Sequence, residues 1–232
     1  MKAMILAAGR GERMRPLTDR HPKPLLKVDG KALIEWHIEA LKDAGINEIL
    51  INTSWLGEQI PEYLGDGAYW GVKLTFSHEP EALETAGGIR KALDFFEDQP
   101  FIVTNGDVWT DFSYKGLLNK PSKSAHIVMV SNPEHNNGGD FYLRDDGLVI
   151  AEGEGKSTFS GIGVYRPEIF ADLPKDEAYR LAPMLRELMV EAEVTGELFE
   201  GQWHDIGTPE RLEALNLSFQ RRIKTIEYDG TL

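Results

Sequence analysis

Cysteine is absent from all 232 residues, which excludes disulfides, thiolate nucleophiles and thiolate-bound zinc. Positive charge is scarce: 25 Lys and Arg stand against 38 Asp and Glu, for a formal charge of -13. So acidic a chain suits neither nucleic acid nor an anionic membrane surface as a partner. No stretch approaches the roughly 18 apolar residues of a spanning helix. The opening MKAMILAAGRG reaches glycine and arginine too soon for a secretory signal. A soluble cytoplasmic protein is the expectation. Internal repeats and low-complexity segments are missing too. There is no G-x-x-x-x-G-K-[ST] loop, and Met14 stands where a dinucleotide fingerprint needs its last glycine. The histidines have no metal-ligand spacing, and Ser160–Gly161 is no nucleophile elbow.

What remains is ordered around the amino-terminal stretch. Met1–Ala8 reads as a buried parallel strand that empties into Gly9–Arg10–Gly11–Glu12–Arg13. The carboxyl end of such a strand is where open α/β sheets place ligands. Glycines there let backbone N–H groups approach a phosphate. Arg10, Arg13, Arg15, Arg20, Lys23 and Lys27 face only Glu12 and Asp19 in this segment. A local polyanion site and a solvated basic loop are both compatible with that.

The rest alternates strand and helix at βαβ spacing. Ala32–Ala44 places Leu33, Trp36, His37, Ala40 and Leu41 on one helical face, with His37 packed rather than a ligand. Strands are predicted at 48–52, 71–77, 100–104, 125–131, 159–165 and 195–199, and a hairpin around Asp145–Gly147. Further helices are predicted at 56–64, at 86–96 with Thr85 as cap, at 167–171 and at 181–192. Thr208 and Pro209 start a last helix to about Arg222. One domain spanning 1–232 is expected, with 223–232 as a loose tail.

Two carboxylates follow apolar or aromatic residues and precede special turns: Asp107 in NGDVW and Asp205 in WHDIG. They read either as turn and capping aspartates or as a pair for one hard divalent ion, which is normally held by one or two carboxylates plus substrate phosphates. The second reading, beside a basic glycine loop, suits phosphoryl or nucleotidyl transfer.

The run LAAGRGERMR from Leu6 to Arg15, with Pro16–Leu17–Thr18 and Pro22–Lys23–Pro24–Leu25–Leu26, resembles the signature of the sugar-1-phosphate nucleotidylyltransferases. The likeness continues through Gly30–Ile34, Thr85–Gly88, Asn105–Asp107 and Asp205–Pro209, so it covers the chain in order. It implies an α/β fold: a single Rossmann-like nucleotidyltransferase domain with a mixed central sheet flanked by helices. It also implies transfer of a nucleotidyl group to a sugar 1-phosphate, with pyrophosphate as product and Mg²⁺ on Asp107 and Asp205. Arg13 and Lys23 would neutralise phosphates. Leu6, Ala7, Ala8, Gly9, Gly11, Glu79, Thr85, Gly87, Asn105 and Gly106 would complete the nucleotide site.

Within the family, NGDVWTD, YRLAPMLR and WHDIGTPERL resemble the uridylyl-transferring branch that uses UTP and N-acetylmuramate 1-phosphate. Use of GTP with mannose 1-phosphate is the alternative, and a non-catalytic nucleotide-sugar sensor is the reading from another class. The Glu-Lys-Pro element of many relatives is not matched at Glu152–Lys156. The acceptor-side candidates are Arg144, Glu152, Lys156, Gly161 and Arg186, with Arg186 the first choice for a lactyl carboxylate because its run YRLAPMLR carries the resemblance.

Overall fold

A computed structural model describes residues 1–120 and 123–229, with side chains described as far as residue 221. The first strand, β1 (Lys2–Ala7), alternates between two apolar clusters, with Ile5 in one and Met4 in the other. A strand covered by helices on both faces needs an apolar run such as Ala3–Ala7. A short hairpin, β2 (Lys27–Val28) and β3 (Lys31–Ala32), leads into α1 (Leu33–Asp43). There Glu35 Oε2 accepts the Ala32 N–H at 2.7 Å and closes the helix start. The chain continues through β4 (Glu48–Thr53), α2 (Gln59–Leu64), β5 (Lys73–His78), α3 (Glu84–Lys91), β6 (Phe101–Asn105) and β7 (Val108–Thr110). Next come β8 (Ala125–Val130), β9 (Tyr142–Leu143), β10 (Val149–Ile150), β11 (Thr158–Tyr165), α4 (Glu168–Ala171) and α5 (Leu181–Val190). Last are β12 (Val194–Phe199), β13 (Trp203–Asp205) and α6 (Pro209–Asp229).

Seven strands form one mixed sheet in the order β12-β8-β11-β6-β1-β4-β5. Strand β11 runs antiparallel to both neighbours, and the other pairs are parallel. This is the expected mixed α/β sheet. From β1 the chain steps outward to β4 and β5, then returns to β6 on the opposite side. The carboxyl end of β1 is therefore a topological switch point, where a crevice must open.

Several local expectations shift. The buried face of α1 comprises Leu33, Ile34, His37, Ile38 and Leu41, while Trp36 and Ala40 are half-buried. Helix α3 starts at Glu84 without a Thr85 cap, and ends at Lys91 before a tight turn over Leu93–Phe96. The stretch expected as a loose tail from 223 is helical as far as Asp229, because α6 runs on; residues 230–232 lie outside the described residues. The antiparallel ribbon β7–β13 was not foreseen. It is central to the site.

Candidate active site

Leu6, near the end of β1, stands opposite Asn52 on one side and Asn105 on the other. Beyond this row lies a two-lobed cleft. One lobe, about 370 Å³, is bounded by Ala8, Gly9, Asn52, Glu79, Ala82 and Asp107. The other, about 300 Å³, is bounded by Val103, Phe159, Gly161, Tyr165, Arg180, Leu181 and Ala182. Leu6, Glu84, Thr85 and Asn105 border both.

The first lobe rests on a buried polar chain. The Ala7 N–H donates to Asn52 Oδ1 at 2.8 Å, and Asn52 Nδ2 donates to Glu79 Oε1 at 2.8 Å. Glu79 Oε2 accepts the Leu83 N–H at 2.9 Å. Burial pushes the Glu79 carboxyl above its usual range, opposed in part by the bonds from Leu83 and Asn52. Glu79 thus borders the lobe while tying β1, β4 and the 79–83 loop together. Ala7 enters through its backbone alone. Gly87, expected at the nucleotide, backs onto Glu177–Tyr179 instead, and its N–H donates to the Tyr179 carbonyl at 3.2 Å. Its small size serves packing between α3 and that loop.

The basic loop divides in two. Arg10 stacks on Trp55, 4.5 Å from the ring centroid, and Arg15 pairs with Asp19 at 2.6 Å, so both are surface groups. Lys23 is turned inward and is 7% exposed. Gly11 explains how: at φ 64° it lets the loop close on the Lys23 stem, and a Cβ there would lie 3.3 Å from Lys23 Cβ. Lys23 Nζ reaches Asp107 Oδ2 at 2.7 Å. Arg13 is exposed but reaches toward Gly207, where a Cβ would lie 3.5 Å from its Nη2.

Asp107 follows Gly106, whose N–H donates to the Leu6 carbonyl at 2.8 Å and pins the end of β6 to β1. In the β7–β13 ribbon Asp205 pairs with Val108, and the Ile206 N–H donates to the Asp107 carbonyl at 3.2 Å. The two aspartates are thereby neighbours, although they stand 98 positions apart in sequence. Asp205 Oδ2 is held by Arg211 Nη1 at 2.8 Å and by His135 Nε2 at 3.2 Å. Beneath the ribbon, His37 donates through Nε2 to the Val108 carbonyl at 2.8 Å and lies 3.0 Å from the Tyr114 hydroxyl. Burial pushes the His37 imidazole down to about 4, so it is a neutral strut.

The fit to a hard divalent ion rests on this donor set. Each carboxylate has one oxygen in an ion pair and a second outside it. Among the described residues no group of three acidic or histidine side chains is poised for a metal. The free oxygens of two neighbouring carboxylates, with substrate phosphates to complete the shell, are the kind of donor set that holds a hard divalent ion.

The acceptor candidates fare unevenly. Gly161 belongs to the second lobe: at φ 81°, a Cβ there would stand 2.4 Å from Asn105 Nδ2. Arg144 pairs with Asp146 at the hairpin turn, and Lys156 with Glu152 at 2.8 Å, holding the Glu152 carboxyl below its usual range. Arg186 lies over Phe141, 5.3 Å from the ring centroid. None of these four lines the cleft. Among the described residues the cation that does is Arg180; no local sequence signal marks it, nor Tyr165, His135 or Arg211. Asn52 carried a usable signal, a polar residue closing an apolar strand.

The chain matches the nucleotidyl transferase family across residues 2–222. It belongs to that family. This nucleotidyl transferase is 52% identical over 221 residues to N-acetylmuramate alpha-1-phosphate uridylyltransferase of Neisseria meningitidis, covering 92% of this chain and 96% of the relative. It is 32% identical to the protein of the same description from Caulobacter vibrioides, covering 90% of this chain and 92% of that one. In fold it resembles a Bacillus anthracis structure assigned as a glucose-1-phosphate thymidylyltransferase, with a TM-score of 0.84, 94% of each chain covered and 22% identity.

Proposed function

We propose that this nucleotidyl transferase moves the uridylyl group of UTP onto N-acetylmuramate α-1-phosphate, giving UDP-N-acetylmuramate and pyrophosphate. The observation that carries the reading is the Lys23–Asp107 ion pair set beside Asp205 at the rim of a two-lobed cleft. The substrate pair follows from the 52% identity to the Neisseria meningitidis enzyme.

In this reading the base and ribose occupy the lobe over Asn52 and Glu79, and the sugar the lobe over Gly161 and Tyr165. An oxygen of the sugar phosphate bonds to the α-phosphorus as the bond from that phosphorus to its bridging oxygen breaks. The electron pair leaves with pyrophosphate. The attacking phosphate is already ionised near neutral pH, so no general base is needed. Lys23 and Arg13 stabilise charge gathering on the departing group, from positions set before reaction. Asp107 and Asp205 would hold Mg²⁺, which supplies charge neutralisation at phosphate oxygens when bound. Arg211 and His135 keep Asp205 oriented toward Asp107.

The test is pyrophosphate release with each nucleoside triphosphate against a panel of sugar 1-phosphates. UTP with N-acetylmuramate 1-phosphate is expected to give the highest kcat/KM. Preference for GTP with mannose 1-phosphate would overturn the assignment.

A further inference from the structure

The sugar lobe has a chemical asymmetry that phosphate binding does not use. Arg180 is the single cation among the described residues that line it, and Lys23, Asp107 and Asp205 do not line it. Arg180 pairs with Glu84 at 3.7 Å, but both side chains are largely exposed, 77% and 50%. Such a pair is weak, and a carboxylate that accepts two parallel hydrogen bonds competes well for that guanidinium.

Arg180 also stands at the start of α5, in extended backbone conformation, and no side chain caps the helix there. The first turn carries no acidic residue, and Leu181 and Ala182 both border the lobe. The amino end of a helix of ten residues, with the first-turn N–H groups of Leu181 and Ala182 but none at Pro183, and with its positive dipole end, favours an anion.

A second polar residue borders the lobe. Tyr165, 1% exposed, borders it, and its buried hydroxyl has no hydrogen-bond partner among the described residues. That hydroxyl occupies the space beside Gly163, where a Cβ would lie 2.7 Å from it. A buried hydroxyl left unpaired is costly.

We propose that the Arg180 guanidinium and the uncapped amino end of α5 form a carboxylate-reading subsite that receives the lactyl carboxylate of the acceptor sugar. This rests on the acceptor reading above. Arg180 replaces Arg186 in that role, because Arg186 is engaged over Phe141 outside the lobe.

The experiment compares kcat/KM for N-acetylmuramate 1-phosphate and for N-acetylglucosamine 1-phosphate, which lacks the lactyl ether, in the wild type, Arg180→Ala and Arg180→Lys. Arg180→Ala is expected to lose about 10- to 100-fold on the first acceptor and less than about threefold on the second, the size expected for one charge-assisted hydrogen-bonding group. Arg180→Lys, which keeps the charge without the fork, should fall between. Equal losses on both acceptors, or loss on neither, overturn the subsite while leaving the acceptor assignment intact. A wild-type enzyme indifferent to the lactyl group overturns the acceptor assignment, and the subsite with it. The wild-type measurement separates the two failures before any variant is made.

Discussion

Replacing Lys23 with Met separates charge from packing at the reacting centre. The Lys23 stem is buried against Gly11, and Met retains most of that contact while removing the ammonium. Asp107, the ion-pair partner, is 38% exposed in its side chain, so water can solvate it once Lys23 is gone. The stability cost should therefore stay near the low end for a solvated ion pair, on the order of 1 kcal/mol. Catalysis should suffer more. A preorganised charge aimed at a developing negative charge is worth about 2.7–4 kcal/mol, or roughly 10²–10³ in kcat. Because leaving-group charge grows along the reaction, the loss belongs in kcat rather than KM.

Steady-state pyrophosphate release at varied UTP reads both parameters, and a melting curve checks the fold. A double-variant cycle with Asp107→Asn sharpens the result. If Lys23 serves only to orient Asp107, Lys23→Met adds nothing once Asp107 is neutral. If Lys23 acts on the phosphates, the double variant falls well below Asp107→Asn alone. A folded Lys23→Met enzyme with unchanged kcat and raised KM would refute the argument.

Three further outcomes are expected. EDTA should abolish turnover and Mg²⁺ restore it, and Asp205→Asn should lose nearly all activity while its melting curve stays close to wild type; a chelator-insensitive enzyme would remove the metal assignment. Gly161→Ala should cost more than about 1 kcal/mol, since φ is 81° and its methyl meets Asn105; because Asn105 borders both lobes, KM for both substrates should rise, and unchanged kinetics would count against a shared wall. His37 is held neutral in the fold, with its pKa pushed from 6.5 to about 4. Its contribution is complete above pH 6.5 and is lost as pH falls toward 4, because the unfolded chain takes up the proton first. That interval corresponds to about 3 kcal/mol at most. The fall in stability between those pH values should be shallower in His37→Gln, and identical slopes would contradict the neutral-strut role.

Much of this architecture is legible in residue order because burial leaves local patterns. The apolar run Ala3–Ala7 of β1 and the helical spacing of Leu181, Leu185 and Met189 each report a covered face. The family signature runs through Gly11, Lys23, Asp107 and Asp205, and the structure brings Lys23 against Asp107 and seats Asp205 beside it. Other features depended on which distant segments meet. Three-residue strands such as β7 and β13 are too short to show a period, so the ribbon that unites the aspartates was invisible. Gly87 looked like a ligand-approach glycine because sequence does not say that the 177–179 loop packs on it. Arg10, Arg13 and Arg15 are chemically alike along the chain, and only Trp55, Gly207 and Asp19 sort them. Arg180 and Arg186 sit in one motif, yet one opens the helix at the cleft and the other is carried round to Phe141. Sequence determined most of the longer elements and which chemistry is available. Strand order and helix rotation, set by packing between segments far apart in the chain, decided which of those groups share a site.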